Sequence, residues 1–236
     1  EKTKKPKKAK KGEVAAEEKP AEKKKKPAKP TGKFVRIINL ETRENQDIQY
    51  VDDSYFPAYA TQFYYLREIG DSLNSKGLFA LDLTSKNITL VDSAFKGCTN
   101  ISMNKRGTTL MYMTTADSAK AELKKYNLKM WNGQENVVML DTATEGMKDR
   151  WMPSPDFKTI VDENGTYLLV GTKPIPTIYP KDTMALDEEK VKLDIWSWTD
   201  EEIQPMQNLN KNREAKKSYL GRIDLTDKNF LQLEDE

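Results

Sequence analysis

The chain has 236 residues, of which 32% are charged, 37% are hydrophobic and none is histidine. The missing imidazole excludes a Ser-His-Asp or Cys-His arrangement within the chain, and the single cysteine, Cys98, excludes an intrachain disulfide and a cysteine-rich zinc site. No glycine-rich phosphate motif is present, and no apolar run reaches the roughly 20 residues that cross a bilayer. We therefore predict no catalytic, cofactor-binding or metal-binding residue, and no membrane span.

The first 33 residues differ in composition from the rest. They hold 14 lysines against five glutamates, a net charge of +9, which leaves −7 for residues 34–236 of a chain that is +2 overall. Val14 is their only aliphatic residue larger than alanine, so the segment cannot bury enough apolar surface to offset the entropy of ordering. We predict a disordered linker or insertion over residues 1–33. A nucleic-acid-binding arm is disfavoured, because no arginine or aromatic residue accompanies the lysines and the acidic remainder would repel phosphate.

From Phe34 onward, short apolar or alternating runs are separated by turn residues. Such runs, rich in β-branched and aromatic residues, are typical of antiparallel strands. Residues 119–126 could form two helical turns and residues 201–217 could hold a short helix, which Pro205 would keep from being continuous. The predicted strands lie at 34–40, 61–66, 78–83, 88–91, 109–113, 128–131, 137–140, 167–170, 193–198 and 219–225.

Two recurring patterns indicate how these strands pair. Residues 78–83 and 88–91 flank a polar turn, and a glycine turn precedes a strand at both Gly107 and Gly165. The two glycines are 58 residues apart, more than the roughly 40–50 residues of one propeller blade. An inserted loop at residues 114–126 would account for the excess. We predict an all-β fold of antiparallel four-stranded blades from an incomplete propeller over residues 34–236, although antiparallel sandwiches produce similar pairs.

Several segments resemble serine peptidases of the prolyl oligopeptidase family. Residues 105–112, Lys-Arg-Gly-Thr-Thr-Leu-Met-Tyr, look like the blade hairpin of their propellers, with Arg106 departing at the usual Asp position. Residues 191–198, Asp200, residues 204–207, Arg213 and residues 217–220 resemble the long members found in Bacteroidetes-type bacteria. Residues 32–40, which follow the Lys-rich stretch, also resemble these proteins. The resemblance extends over most of residues 30–236 and is most specific over 191–225.

This resemblance implies a noncatalytic role. Such peptidases join an N-terminal propeller to a C-terminal α/β-hydrolase domain with the catalytic triad, and this chain has no GxSxG nucleophile elbow. The implied function is a propeller portion that gates or admits peptide substrate to that hydrolase domain, in a periplasmic or secreted protein. The implied partners are the hydrolase domain and the peptide. The alternative is a cell-surface propeller or sandwich module that binds peptide or glycan.

Three features invite a functional interpretation. Trp196 and Trp198 would share one face of a strand, either as a packing layer between blades, which we favour, or as an aromatic platform for a ligand. The proline-led loop over residues 173–192 is either a functional rim loop or a tolerated insertion at a blade edge. Cys98 is expected to be a small buried apolar residue without reactivity.

Overall fold

A computed structural model describes residues 32–59, 61–68, 75–178 and 197–235. This part of the chain holds fifteen strands and one helix. The strands are β1 (Lys33–Ile38), β2 (Asn45–Val51), β3 (Asp53–Tyr55), β4 (Gln62–Arg67), β5 (Gly77–Asp82), β6 (Ile88–Asp92), β7 (Gly97–Met103), β8 (Leu110–Thr115), β9 (Asn127–Trp131), β10 (Asn136–Leu140), β11 (Trp151–Pro153), β12 (Ile160–Val161), β13 (Tyr167–Pro174), β14 (Tyr219–Asp224) and β15 (Phe230–Gln232); the helix is α1 (Gln204–Glu214).

The strands form one hairpin and three larger antiparallel sheets. Strands β1 and β2 form the N-terminal hairpin, and β3 to β6 form sheet 1 in sequence order. Sheet 2 contains β7 to β10, also in sequence order. Sheet 3 has the order β11-β13-β14-β15, with β12 also paired to β13. Sheets 1 and 2 are thus meanders in which each strand pairs with the next along the chain, whereas in sheet 3 strand β13 pairs with β11, β12 and β14.

The sheets pack face to face, because both faces of their strands are apolar. In β4, Tyr64 and Leu66 pack against sheet 2, whereas Phe63 and Tyr65 pack against the N-terminal hairpin. Strand β8 repeats the arrangement, with Leu110 and Tyr112 facing sheet 1 and Met111 and Met113 facing sheet 3. Alternation with period two therefore supplies two buried faces per strand. The result is a stack of four layers with three apolar junctions.

This architecture is that of β-propeller blades, as the sequence predicted. Meandering four-stranded antiparallel sheets that bury both faces against neighbouring sheets are the repeating unit of propellers, which typically have about four to eight blades. The described residues supply three blades, of which the third carries β12 as a fifth strand, and the N-terminal hairpin. Gly107 and Gly165, with φ of 69° and 70°, occupy the corresponding turns before β8 and β13, as expected for successive repeats.

Some local predictions need correction. Residues 119–126 are not helical: they belong to the β8–β9 connection, where the Asp117 carboxylate accepts a hydrogen bond from the Lys125 backbone N–H at 2.7 Å. A segment of two turns is too short to offset helix nucleation without packing of its own. The predicted short helix exists as α1, which begins at Gln204 with Pro205 in its first turn, where a missing N–H costs nothing. Strands β2, β3, β7, β11, β12 and β15 were not among the predicted runs.

Candidate functional site

The connections between strands emerge on two opposite edges of the stack. Because consecutive strands are antiparallel, the β4–β5, β6–β7, β8–β9, β10–β11 and β13–β14 connections share one edge, which we call the loop edge. Contacts between connections support this placement: Lys76 donates to the Lys96 carbonyl at 3.3 Å, and the Ile175 N–H donates to the Arg150 carbonyl at 2.7 Å. The longest connections lie here, and binding residues are often carried by connecting loops.

A concave site, the rim pocket, lies on the loop edge at the base of the β13–β14 connection. Its volume is about 320 Å³. The end of β13, the start of β14 and the end of α1 form its walls. The lining residues are Lys173, Pro174, Pro176, Glu214, Ala215, Lys217 and Tyr219. Residues 173–176 open the loop for which the sequence left two interpretations, a functional rim loop or a tolerated insertion, and these residues line the cavity.

Aromatic rings and cations support one wall of the rim pocket. Tyr219 packs against buried Trp151, with ring centroids 5.1 Å apart at an angle of 53°. Lys217 lies 5.4 Å above the Tyr219 ring and Lys148 lies 5.0 Å above the Trp151 ring. Such cation–π contacts hold lysine ammonium groups at the surface without neutralising their charge. An aromatic and proline wall with nearby ammonium groups can accept an apolar peptide segment that carries an acidic group.

Two charged pairs set the electrostatics around this pocket. The Lys173 ammonium lies 2.7 Å from the Asp156 carboxylate, both partly buried, so its charge is largely compensated. Lys148 forms an ion pair with Asp235. No group of three or more histidine, cysteine, aspartate or glutamate side chains that could hold a metal ion was found in the described ranges.

The two tryptophans singled out from the sequence do not form a strand layer as far as the structure describes them. Trp196 lies outside the described residues. Trp198 lies in a turn with 91% of its surface exposed. The predicted strand over residues 193–198 is therefore wrong at Trp198. The reason is local: the Ser197 N–H donates to the Asp200 carboxylate at 2.8 Å, and the Ser197 and Thr199 hydroxyls bond to each other at 2.9 Å.

Replacing Trp198 by alanine is expected to change the free energy of unfolding by less than about 0.5 kcal/mol, because an exposed ring contributes little to the core. Trp151, with 6% exposure, is the matched control, and its replacement is expected to cost about 3–5 kcal/mol. Chemical denaturation of both variants measures the difference. A loss of more than about 1 kcal/mol at Trp198 would contradict its turn position.

A cluster of polar and charged side chains is buried between sheets 1 and 2. The Asp92 carboxylate, at the end of β6, accepts from the Lys129 ammonium at 2.6 Å and from the Tyr112 hydroxyl at 3.2 Å. Tyr112 and Lys129 are cross-strand neighbours on β8 and β9, so they face sheet 1 side by side. Burial by itself raises the pKa of Asp92. Hydrogen bonds from Lys129 and the Ala94 N–H lower it by more than burial raises it, so the pKa lies below its ordinary value. The cluster holds two blades together.

Cys98 lies close to this cluster and is confirmed as a buried apolar side chain. It is 8% exposed and packs within the core between sheets 1 and 2. Burial, followed by the nearby negative charges of Asp92 and Glu68, raises the pKa of its thiol to about 12. At neutral pH the thiolate is therefore scarce, and the side chain is not activated as a nucleophile.

No protein-family model matches the chain, and no curated protein sequence matches it. Among solved structures, it is similar to TolB from Acinetobacter baumannii, with 6% identity and a TM-score of 0.36 over 84% of this chain and 37% of that one. It is similar to the tricorn protease, with 9% identity and a TM-score of 0.40 over 85% and 24% of the two chains. It is also similar to the β-propeller domain of the Trilobed protease from Pyrococcus furiosus, with 9% identity and a TM-score of 0.28 over 85% and 61%.

The chain spans less than two thirds of the length of each of these proteins. Within the described ranges, no helix combines the length and apolar character that crossing a bilayer requires.

Proposed function

We propose that this chain is the noncatalytic propeller portion of a periplasmic or secreted serine peptidase of the prolyl oligopeptidase type, and that it admits peptide substrate to a separate hydrolase domain. The observation that carries this proposal is the outer face of sheet 3. Both faces of sheets 1 and 2 and the inner face of sheet 3 are covered by a neighbouring layer. This face carries Leu169, Leu220 and Leu231 beside Arg222, and no layer of the described residues covers it.

The residues of that outer face follow from the strand register. Leu168 and Ile223 pair across β13 and β14 and are buried against sheet 2. Their neighbours Leu169 and Arg222 point the opposite way and align with Leu231 of β15, which is 59% exposed. An exposed leucine on a sheet face is expected where a further blade packs, because each blade of a propeller is covered on both faces. This supports a place for these blades within a larger propeller.

The rim pocket supports the substrate-admission part of the proposal. It lies on the edge with the long connections, and its proline, tyrosine and lysine lining suits an extended peptide rather than a cofactor. In this role the chain would select and orient a peptide, and the hydrolase domain would supply the nucleophile, base and oxyanion hole.

The deciding experiment uses the natural polypeptide that carries this sequence. An antibody raised against the chain would isolate that polypeptide from its native cells, and a fluorophosphonate probe would label any activated serine. We expect labelling of the captured polypeptide, abolished by heat denaturation before the probe is added. Capture without labelling would contradict the peptidase assignment.

The 236-residue chain itself is expected to show no turnover of proline- or alanine-containing peptides. It has no histidine to act as base and no nucleophile elbow. The measurement is mass-spectrometric product analysis after long incubation, with the repurified chain as the control for contaminating peptidases. Cleavage that persists after repurification, and that a serine-directed inhibitor blocks, would show the assignment to be wrong.

A second candidate function is a cell-surface module that binds peptide or glycan. The 91% exposure of Trp198 favours it, because an aromatic ring free of packing can stack on a sugar ring or a peptide. A glycan array and a peptide array probed with the wild-type chain and with Trp198→Ala distinguish the two. Binding that depends on Trp198, together with no probe labelling of the natural polypeptide, would favour this function.

A further inference from the structure

Arg67 is a buried cation between the N-terminal hairpin and sheet 1. It lies at the end of β4, and only 6% of its surface is exposed. Its cross-strand partner on β5 is Gly77, so no side chain stands opposite it. The guanidinium therefore extends into the space between the sheet and the hairpin.

The contacts of this guanidinium are all neutral. One terminal nitrogen donates to the Gln49 carbonyl at 2.9 Å and the other to the Ser75 carbonyl at 3.2 Å. The group lies 5.6 Å from the Tyr65 ring and 5.3 Å from the Phe79 ring, which stack on each other with centroids 5.0 Å apart. Its Nε–H is buried and has no hydrogen-bond partner.

No carboxylate compensates this charge among the residues that the structure describes. None of the ion pairs found there involves Arg67. Asp47 stands nearby, but its carboxylate oxygens are held by Arg36 at 2.7 and 2.9 Å. A buried charge is normally paired, and an unpartnered buried donor costs free energy. An anion that reached the guanidinium would remove both costs.

A cavity beside Arg67 provides room for such an anion. Its volume is about 400 Å³, within the range of small-ligand sites. It is lined by Asp47, Ile48, Gln49, Tyr65, Arg67, Ser75, Phe79 and Ile88. The aromatic pair supplies an apolar wall and Arg67 supplies the cation, while the carboxylate of Asp47 is already neutralised by Arg36. This combination suits a carboxylate attached to a short apolar group.

We propose that this cavity, the Arg67 cavity, binds a peptide carboxylate, either a C-terminal one or that of an acidic side chain. In the bound state the Arg67 side chain turns so that its Nε–H, buried in the free chain, donates to one carboxylate oxygen, and the rings of Tyr65 and Phe79 flank the attached apolar atoms. The site is separate from the rim pocket and shares none of its lining residues. The proposal therefore does not depend on the peptidase assignment.

The test is a titration of the full chain followed by the NMR signals of arginine Nε–H groups. Three probes are used: N-acetyl-Ala-Ala with a free carboxylate, the same peptide as its C-terminal amide, and N-acetyl-Glu amide. We expect the Arg67 signal, identified by its loss in Arg67→Lys, to shift with at least one of the two carboxylate probes and not with the neutral one. The acid that produces the shift identifies the source of the carboxylate.

Two variants make the result specific. Arg67→Lys keeps the charge but loses the forked donors, and the backbone amide signals that the acid shifts in the wild type should report about tenfold weaker binding. Since that change could disturb the buried contacts, Ile88→Trp tests the same cavity from its half-exposed mouth and should abolish the shift of the Arg67 signal with folding unchanged. The matched control is Leu231→Trp, at a similarly exposed strand position on sheet 3, which should bind like wild type.

Three outcomes would overturn the proposal. One is an equal response to the neutral amide, and another is no shift of the Arg67 signal with either acid. Retained binding in a folded Ile88→Trp variant would place the carboxylate elsewhere and would equally overturn it.

Discussion

Replacing Asp92 by asparagine is expected to lower the free energy of unfolding by about 3 kcal/mol, because it leaves Lys129 as an uncompensated charge between two blades. The Asp92 side chain is 5% exposed and the Lys129 side chain is 16% exposed, so water can screen the remaining ammonium only in part. We place the loss at the lower end of the range for buried pairs because Lys129 keeps some contact with solvent. Urea denaturation of the two proteins measures it.

The matched control is Asp47→Asn, which breaks the pair between Asp47 and Arg36 on the N-terminal hairpin. Both side chains of that pair are more than one third exposed, so the loss should stay below about 1 kcal/mol. A double variant, Asp92→Leu with Lys129→Met, should recover part of the stability, since it removes both buried charges together but also removes the Asp92 acceptor of the Tyr112 hydroxyl. Equal losses for Asp92→Asn and Asp47→Asn would contradict the buried-pair interpretation.

The same pair predicts how stability depends on pH. The pKa of Asp92 is lower in the folded chain than its ordinary value of 3.8. A carboxylate whose pKa is lowered by folding stabilises the fold above its unfolded pKa, and that contribution disappears as the pH falls through the folded pKa. The stability difference between wild type and Asp92→Asn should therefore be constant near neutral pH and shrink below about pH 4. A difference that grows with acidification would contradict this sign.

Replacing Leu168 by alanine is expected to lower the free energy of unfolding by about 2–5 kcal/mol, because the side chain is fully buried between sheets 2 and 3 and its loss leaves a cavity. The control is Leu231→Ala on the outer face of sheet 3, where 59% exposure predicts a change within about 0.5 kcal/mol. The contrast tests whether the two faces of sheet 3 differ as the register requires. Similar losses at both positions would mean that the outer face is also covered in solution.

The sequence alone determined nine of the fifteen strands of the described residues and the turns that precede two of them. The sequence predicts β4, β5, β8, β13 and β14 because strands buried on both faces carry apolar residues at successive positions. The turns at Gly107 and Gly165 could be predicted because a positive φ favours glycine at one fixed position of a turn. These signals are local, since they depend on residues a few positions apart in the chain.

Short or polar strands were not predicted because pairing with a neighbouring strand, and not their own composition, makes them strands. Strand β3 has the sequence Asp-Ser-Tyr and is held by its ladder with β4. Residues 119–126 are an error of the opposite kind. Their composition favours a helix, but in the structure they form a non-helical connection between β8 and β9. The alternation over residues 193–198 predicts a strand at Trp198, but the polar side chains around it form a turn.

The candidate sites were decided only by the tertiary structure. Nothing in the sequence joins Asp92 to Lys129, which is 37 positions away, or brings Arg67 beside the carbonyl of Gln49 on another strand. The sequence indicated only the proline-led loop at the rim pocket. The pocket itself could not be predicted, because its walls come from β13, α1 and β14, which are separate in the sequence. A sequence pattern reports which residues a strand buries, whereas the partner of a buried charge is set by how separate sheets stack against each other.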